Sequence, residues 1–164
     1  QERLHSVVSP AAVPPYLLKT GDNPTGPLSQ DKADAMREGL QANRETFFDG
    51  FTRDFFSAHD QLMVTEETRQ AAIALCHQSD PRAALGCMQA FATTDFRADL
   101  DRVSVPTLVL HGDSDATVPL EGSGARTHKA IGGSELVVLE NAPHGCNTSH
   151  SDDFNLALLN FLKK

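Results

Sequence analysis

The spacing of apolar residues predicts alternating strands and helices in the last third of the chain. Continuous apolar runs at residues 105–110 (VPTLVL) and 135–140 (ELVVLE) predict strands that are buried on both faces, as in a parallel sheet. Residues 120–131 between them predict a helix that ends before Gly132. A last helix begins near Asp152, so the order strand, helix, strand, helix is typical of an α/β fold. The apolar face of this last helix consists of Phe154, Leu158, Phe161 and Leu162.

The remainder of the chain predicts one more strand, followed by a helical region. The stretch from Leu4 to Val13 is short and apolar and is followed by two prolines, which favours a strand. Residues 29–95 predict helices, because apolar residues recur there at spacings of mostly four or seven. Thr65 and Asp80 are suited to cap the N-termini of two of these helices. The recurring apolar residues are Met36, Leu40, Phe47, Phe51 and Phe55.

Five of the nine phenylalanines lie between positions 47 and 56. Two interpretations of this cluster stay open. For any single ring, a place in the hydrophobic core is the favoured interpretation. As a group, the rings also suit the wall of an apolar substrate pocket.

The composition of the chain argues against several classes of binding partner. The chain has 164 residues, enough for one domain with a core, and its net charge of −8 argues against nucleic acid or an anionic membrane. No apolar run approaches the ~20 residues that span a bilayer, and the first residues do not resemble a signal peptide. Three widely spaced cysteines predict no disulfide framework, so a cytoplasmic protein is expected. They are Cys76, Cys87 and Cys146.

Polar residues follow two of the predicted strands at the point where each strand ends. HGDSD (111–115) follows the first strand and NAPHGC (141–146) follows the second. Because parallel strands end at the same edge of a sheet, we expect Asp115 and His144 to lie side by side. A carboxylate that holds an imidazole in one tautomer, while the other ring nitrogen takes a proton from a nucleophile, forms two parts of a catalytic triad. The sequence therefore predicts Asp115 as the acid and His144 as the base.

Three neighbouring side chains have weaker claims to a chemical role. Asp113 is expected to accept hydrogen bonds from backbone amides of its own turn. His111 is expected to be structural rather than catalytic, despite its place at the end of the strand. His128 falls in the middle of a predicted helix and is expected on the solvated surface.

The same motifs resemble a known family. VPTLVLHGDSDATVP, then NAPHG, then residues 148–155 are similar to the C-terminal part of an α/β-hydrolase, nearest to the cofactor-free haloperoxidases and their esterase and perhydrolase relatives. AAVPPYLLKTGDNP and residues 87–100 extend the resemblance over nearly the whole chain. The resemblance implies that Asp115 is the triad acid and His144 the triad base. It implies no catalytic role for His150.

The resemblance also implies a domain organisation within the α/β class. The expected fold is a truncated α/β-hydrolase with about three parallel strands, flanking helices and a helical cap. Residues 1–25 would form the first strand and loop of the core. Residues 26–98 would form the cap, and residues 99–164 the C-terminal core that carries the two polar loops.

A serine nucleophile is not recognisable in the sequence. Family members order their triad as serine, acid and histidine, with the serine in a G-x-S-x-G turn. No such motif occurs in the 164 residues, and Ser123 and Ser134 lack its spacing. We therefore expect the N-terminal half, with the nucleophile and the oxyanion hole, to be missing from this chain.

The absence of that half would leave the strand from Leu4 to Val13 with a free apolar edge, which is expected to pair with something. A separate chain could supply the N-terminal half. Alternatively, two copies could pair antiparallel through this strand and form a homodimer with a six-stranded sheet, which is the alternative we favour. The chain could also be a piece of a longer protein.

Three classes of function remain open. The leading hypothesis is a protein derived from an esterase or haloperoxidase ancestor, which needs no cofactor and acts on small apolar esters if active. The second is a metal-dependent ester or phosphoester hydrolase, in which Asp115, His144 and neighbouring donors hold a divalent ion such as zinc. Those neighbouring donors are Asp113, His111, Cys146 and His150. The third is a non-catalytic binding module, or one half of a split protein.

Overall fold

The structure is a computed structural model and describes residues 4–164. Three parallel strands form its larger sheet, in the spatial order β1 (Val7–Pro10), β4 (Thr107–Gly112) and β5 (Glu135–Leu139). Every residue of the central strand β4 is buried, because β1 and β5 flank it and the helices α6 (Gly124–Ala130) and α8 (Ser151–Leu162) pack against it. The predicted α/β fold with about three parallel strands is confirmed.

The first strand is shorter than the sequence predicts. The prediction of a strand from Leu4 to Val13 is wrong in its bounds, because the strand covers only Val7–Pro10. Ala11 has a positive φ of 45°, which turns the chain away from the strand direction. The free edge is therefore four residues long, and Pro10 contributes no N–H group to it.

Four helices fill the middle of the chain, as the apolar spacing predicts. They are α1 (Gln30–Ala42), α2 (Arg44–Phe56), α3 (Glu66–His77) and α4 (Pro81–Thr93). The side chain of the residue before each helix accepts a hydrogen bond from a backbone N–H of its first turn, which satisfies an otherwise unpaired donor. These capping residues are Ser29, Asn43, Thr65 and Asp80, so the two predicted caps are confirmed.

A small hairpin follows α2 and was not predicted. Its strands β2 (Ser57–Ala58) and β3 (Gln61–Leu62) pair antiparallel, and each has only two residues. The turn residues His59 and Asp60 have positive φ angles of 50° and 62°. Strands of two residues carry no readable alternation of apolar and polar positions, so the hydrophobic pattern could not reveal them.

The predicted helix at 120–131 is interrupted. A 3₁₀ turn (Leu120–Gly122) is followed by a separate helix α6 (Gly124–Ala130). Ser123 lies between them with φ −140°, and its hydroxyl donates to the carbonyl of Pro119 at 2.6 Å. The side chain thus competes with helical hydrogen bonding and separates the two segments.

Three further helices complete the chain. They are α5 (Arg97–Leu100), α7 (Cys146–Ser149) and α8 (Ser151–Leu162). The last one confirms the predicted C-terminal helix and packs against β4 and β5. Its apolar face joins the strands in a core cluster made of Leu108, Leu110, Leu139, Ala142, Cys146 and Phe161.

The predicted division into three regions stays a prediction. Helices α1 to α4 fall within residues 26–98, and β4 and β5 fall within residues 99–164. The first three residues of the predicted region 1–25 lie outside the described residues. Within the described part of the chain, no helix is long and apolar enough to span a bilayer.

Candidate active site

Asp115 and His144 meet at the carboxyl edge of the sheet. Nδ1 of His144 lies 2.7 Å from Oδ2 of Asp115. The two side chains follow β4 and β5, which are parallel neighbours, so the strands deliver both to one edge. The contact is the one that the sequence predicts for an acid and a base, while the catalytic roles stay a prediction.

The carboxylate of Asp115 is fully buried and surrounded by donors. Its Oδ1 accepts hydrogen bonds from the backbone N–H groups of Thr117 (2.9 Å) and Val118 (2.7 Å). Its Oδ2 faces His144 and also lies 3.3 Å from Nε2 of His111. The carboxylate therefore has nitrogen neighbours on both oxygens, which fixes its orientation.

The surroundings of Asp115 favour its ionised form. Burial alone would raise the pKa of this carboxyl group, because a charge is poorly solvated inside the protein. Hydrogen bonds from His111 and His144, the charge of His144 and the amide of Val118 outweigh burial, so the pKa lies below its ordinary value. Asp115 is thus a carboxylate at neutral pH.

His111 supports Asp115 from inside the protein. Its imidazole is completely buried, and Nε2 lies 2.7 Å from the carbonyl oxygen of Val118, which requires that Nε2 carries the proton. Its Nδ1 has no hydrogen-bond partner among the described residues. A Cβ at position 124 would lie 2.5 Å from that Nδ1, so only glycine fits there. These contacts agree with the structural role expected for His111.

Asp113 does not have the role that the sequence predicts. Its Oδ1 accepts a hydrogen bond from the hydroxyl of Ser114 at 2.9 Å, and the residue is exposed. The backbone amides of the turn bind Asp115 instead. The prediction that Asp113 satisfies these amides is therefore wrong, because the turn directs the second carboxylate, and not the first, towards its own N–H groups.

His144 is contacted from the side of the helical region. The ring of Phe55 lies edge-on to the imidazole, with a distance of 4.7 Å between ring centroids and an interplanar angle of 76°. The backbone N–H of Gly145 donates to the carbonyl of Phe55 at 2.9 Å. The side chain of His144 is 17% exposed, and because Asp115 occupies Nδ1, Nε2 is the remaining ring nitrogen. The residue thus connects the buried carboxylate with a more open region.

That open region is an apolar cavity of about 430 Å³ between the helices and the edge of the sheet. His144 and Thr117 lie on the sheet side of its wall. A second cavity of about 340 Å³ adjoins it and shares several wall residues. The remaining wall of the larger cavity is formed by Met36, Leu40, Phe47, Phe48, Phe51, Cys76, Ser79, Ala83, Ala84, Cys87, Met88 and Phe91.

The phenylalanine cluster contributes both to the hydrophobic core and to the wall of the apolar cavity, while its role in binding a substrate stays a prediction. Phe47, Phe48 and Phe51 line the cavity, and Phe55 contacts His144. Phe56 and Phe48 are buried, so Phe48 belongs to the core and to the cavity wall at once.

The arrangement of donors gives no support to a metal site. Within residues 4–164, no three His, Cys, Asp or Glu side chains are grouped so that they could hold a metal ion. Cys146 is buried, and burial together with the charge of Asp115 raises the pKa of its thiol, which disfavours the thiolate that a metal needs. His150 was another donor considered for the metal, and its Nδ1 lies 2.9 Å from the hydroxyl of Ser149.

The sequence did not indicate the contacts of His59 near the site, and it wrongly predicted the environment of His128. Nε2 of His59, at the tip of the hairpin, lies 3.1 Å from Oδ1 of Asn141 and 3.0 Å from Oγ of Ser114. No local motif indicates these contacts, which join distant parts of the chain. His128 is half-buried, and its Nδ1 lies 2.9 Å from the hydroxyl of Ser134, so the prediction of a solvated side chain is wrong.

Comparison with known proteins decides the family. A sequence profile of the α/β-hydrolase fold matches residues 1–147. The chain belongs to the α/β-hydrolase family. The chain is 39% identical over 165 residues to a putative non-heme chloroperoxidase from Synechocystis sp., a match that covers 99% of this chain and 59% of the relative. The predicted resemblance to cofactor-free haloperoxidases is confirmed.

Two further relatives of the chain extend the comparison. A crystal structure of a bromoperoxidase from Bacillus anthracis superposes with a TM-score of 0.97 at 44% identity, covering 99% of this chain and 59% of that one. A bifunctional esterase/perhydrolase from Acinetobacter calcoaceticus is 31% identical over 161 residues, covering 93% of this chain and 56% of the relative. The chain thus spans less than two thirds of the length of these relatives.

Proposed function

We propose that Asp115 and His144 are the acid and the base of a haloperoxidase-like ester hydrolase. The observation that carries this proposal is the 2.7 Å contact between Nδ1 of His144 and Oδ2 of a buried, ionised Asp115. The carboxylate accepts a hydrogen bond from the protonated Nδ1, so Nε2 is left unprotonated and can take a proton from a nucleophile. As the imidazole becomes positively charged, the nearby carboxylate stabilises that charge.

The nucleophile is proposed to lie outside these 164 residues. Members of the family place it on a G-x-S-x-G turn ahead of the acid and the histidine, and this motif does not occur in the sequence given. The relatives are longer than this chain by about two fifths of their own length, which leaves room for such a segment. Serine attack on the ester carbonyl would form an acyl-serine and break the bond to the alcohol, which leaves with the proton that Nε2 took from the serine. Water, deprotonated by the same Nε2, would then release the carboxylic acid, and the proton would return to the serine.

The proposed substrate class is small esters with an apolar acyl or aryl group. The cavity beside His144 has about 430 Å³, within the range of sites that bind small molecules, and its wall is mostly aliphatic and aromatic. An ester that places its apolar part among Phe47 and Phe51 would bring its carbonyl group towards His144. The name of one relative includes esterase activity, which supports this substrate class.

A partner for the edge of β1 forms part of the proposal. Within residues 4–164, β1 pairs only with β4, so its other edge has unpaired backbone groups. We propose that this edge is covered by another strand, either from a separate N-terminal half or from a second copy in a homodimer. Size-exclusion chromatography with light scattering separates these cases. A monomer at micromolar concentration contradicts the homodimer.

The proposed compartment is the cytoplasm. All three cysteines in the described part of the chain are free thiols. Free cysteines are typical of proteins from reducing compartments. Mass spectrometry of thiols alkylated directly in cell lysate tests this proposal, and disulfide-linked cysteines would contradict it.

Complementation tests the catalytic proposal. The chain is expressed alone and together with the part of the Bacillus anthracis bromoperoxidase that it does not cover, and hydrolysis of p-nitrophenyl butyrate is followed. We expect hydrolysis only in the complemented sample. Substituting Asp115→Asn should lower the rate by about 10⁴-fold, because the histidine then loses its productive tautomer. The substitution His144→Gln should lower the rate by a similar factor.

Controls separate this proposal from the other classes of function. A serine of the isolated chain that reacts with a fluorophosphonate probe would contradict an external nucleophile. Hydrolysis that survives both substitutions would contradict the assigned roles. Hydrolysis that is abolished by a chelator would favour the metal-dependent alternative, and ligand binding without any turnover would favour a binding module.

A further inference from the structure

We propose that the hairpin formed by β2 and β3 positions His144, because it joins the two loops that carry the acid and the base. This inference rests on the function proposed above. The hairpin belongs to the helical region and lies far from both loops in the sequence, yet its tip contacts each of them. We call these contacts, formed by His59, Ser114 and Asn141, the hairpin clamp.

The hairpin clamp centres on one imidazole nitrogen. Nε2 of His59 lies 3.1 Å from Oδ1 of Asn141, which follows β5, and 3.0 Å from Oγ of Ser114, which follows β4. The hydroxyl of Ser114 donates to Oδ1 of Asp113 at 2.9 Å, so its oxygen is available to accept. A protonated Nε2 of His59 thus has an acceptor on each loop and bridges them.

The backbone at the hairpin clamp is held in an uncommon conformation. Of the four non-glycine residues with positive φ in the described part of the chain, three lie here: His59 (50°), Asp60 (62°) and Asn141 (55°). Such residues cost free energy and persist where the surrounding contacts fix them, often beside functional sites. Positive φ at both central residues is the usual geometry of a two-residue hairpin turn, so the hairpin itself accounts for His59 and Asp60, while Asn141 adopts this conformation in the loop after β5.

A second contact continues the hairpin clamp towards His144. The carbonyl of Phe55, at the end of α2, accepts the N–H of Gly145, and the Phe55 ring packs against the imidazole of His144. A Cβ at position 145 would lie 2.5 Å from the ring of Phe56, so this approach requires glycine. The segment from Phe55 to His59 therefore contacts the loop of residues 141–146 on both sides of the histidine.

The consequence is that the histidine depends on the hairpin while the acid does not. The turn around Asp115 supplies its own donors, which are the amides of Thr117 and Val118 together with His111. The histidine loop is joined to the acid loop by the N–H of Ser114, which donates to the carbonyl of Ala142 at 3.1 Å, and its remaining contacts include Asp115 and the hairpin side. Without the hairpin clamp, His144 should populate orientations in which Nδ1 no longer reaches the carboxylate.

Nuclear magnetic resonance of the imidazole nitrogens tests this inference on the full chain. In the parent protein, His144 should show a protonated Nδ1 and a low-field proton shared with Asp115, assigned by comparison with His144→Gln. The variant His59→Gly removes the imidazole, and glycine tolerates the positive φ of this position. We expect the low-field signal to be lost or broadened and the His144 nitrogens to shift towards values averaged over both tautomers.

The matched control is Asp60→Gly, in the same turn, at an exposed position and also with positive φ. It should leave the His144 signals unchanged. Asn141→Gly should reproduce the effect of His59→Gly, and the double variant should add nothing further, because both remove the same bridge. Asn141→Asp, which retains the acceptor, should restore the parent signals.

The outcomes distinguish this inference from the proposed function. Unchanged His144 signals in His59→Gly and Asn141→Gly would overturn the positioning role and leave the acid–base pair intact. A parent protein without a protonated Nδ1 would overturn the acid–base pair, and the inference with it. If either glycine variant fails to fold by circular dichroism, Ser114→Ala replaces it: loss of the low-field signal supports the hairpin clamp, and an unchanged signal overturns it.

Discussion

The two loops at the carboxyl edge of the sheet are stabilised in different ways. In the loop after β4, Asp115 is fully buried and bound by amides two and three residues further along its own turn. In the loop after β5, His144 is partly exposed, and its neighbour Gly145 is anchored to Phe55 of the helical region. The acid is held by local contacts and the base by contacts from a distant segment.

This difference explains how one edge combines rigidity with access. A carboxylate in a triad must remain ionised and oriented, and at Asp115 the amides of its own turn and His111 contribute to this together with His144 from the other loop. The histidine must also face the cavity, so it cannot be enclosed in the same way. Contacts from Phe55 of the helical region hold it in place while part of the ring stays open. Substitutions where the two loops touch, and then within each loop, test this difference.

The largest effect is expected where the two loops touch. A Cβ at Gly112 would lie 2.1 Å from the carbonyl oxygen of Ala142, a backbone atom that cannot move aside. Gly112→Ala should therefore lower the free energy of unfolding by about 3 kcal/mol, as overpacking in a buried position does. Urea denaturation measures this change. The control Gly132→Ala, with open space around the new methyl group, should have little effect.

Substituting Asp115 tests how much the loop after β4 depends on its own carboxylate. Asp115→Ala leaves the buried amides of Thr117 and Val118 without their acceptor, and should cost about 2 kcal/mol of unfolding free energy. Asp113→Ala is the matched control, because it removes an exposed carboxylate of the same turn that binds only a neighbouring hydroxyl. Its effect should lie within about 0.5 kcal/mol. Equal losses in the two variants would contradict the distinct roles of these carboxylates.

The substitution Gly145→Ala tests the close contact between the loop after β5 and the helical region. Gly145→Ala places a Cβ 2.5 Å from the ring of Phe56, which is buried, so the loop and the ring must separate. We expect a loss of about 1.5 kcal/mol in thermal or urea unfolding. The double variant Gly145→Ala/Phe56→Leu should recover part of this loss, and an equal loss with the smaller side chain would argue against the contact.

Lowering the pH should reduce the free energy of unfolding through Asp115, and this effect should be smaller than those of the three substitutions above. Because the pKa of this carboxyl group is lowered in the folded protein, its stabilising contribution is present above the unfolded value of about 4. That contribution is lost as the pH falls below 4 through the folded value. Urea midpoints measured from pH 5 to pH 2 should decline more steeply in the parent than in Asp115→Asn. Identical slopes would show that this carboxylate does not couple to folding.

The two loops also show which structural features could be predicted from the sequence. Asp115 and His144 could be placed side by side because both follow strands whose apolar runs are unmistakable, and parallel strands end together. Thr65 and Asp80 could be assigned as helix caps because capping is a local interaction of side chain and backbone. Both predictions depend only on neighbours in the chain or on one rule of sheet geometry.

The features that the sequence did not reveal depend on distant or fine contacts. His59 bonds to residues on two other loops, and its hairpin is too short to show a pattern. The break at Ser123 arises from one hydroxyl that bonds to the carbonyl of Pro119. The choice between Asp113 and Asp115 for the amides of the turn depends on backbone angles that the residue types do not specify. The family resemblance implies the same acid, Asp115, that its position beyond the end of the strand predicts.

The two cysteines in the cavity wall provide a direct assay for occupancy. Burial raises the pKa of the Cys76 thiol and so slows its reaction, while Cys87 is exposed and lines the same space. An environment-sensitive maleimide dye should therefore attach first at Cys87 and report, through its emission, whether an apolar molecule occupies the neighbouring volume. Affinities of candidate esters could then be ranked by fluorescence before any turnover is detected.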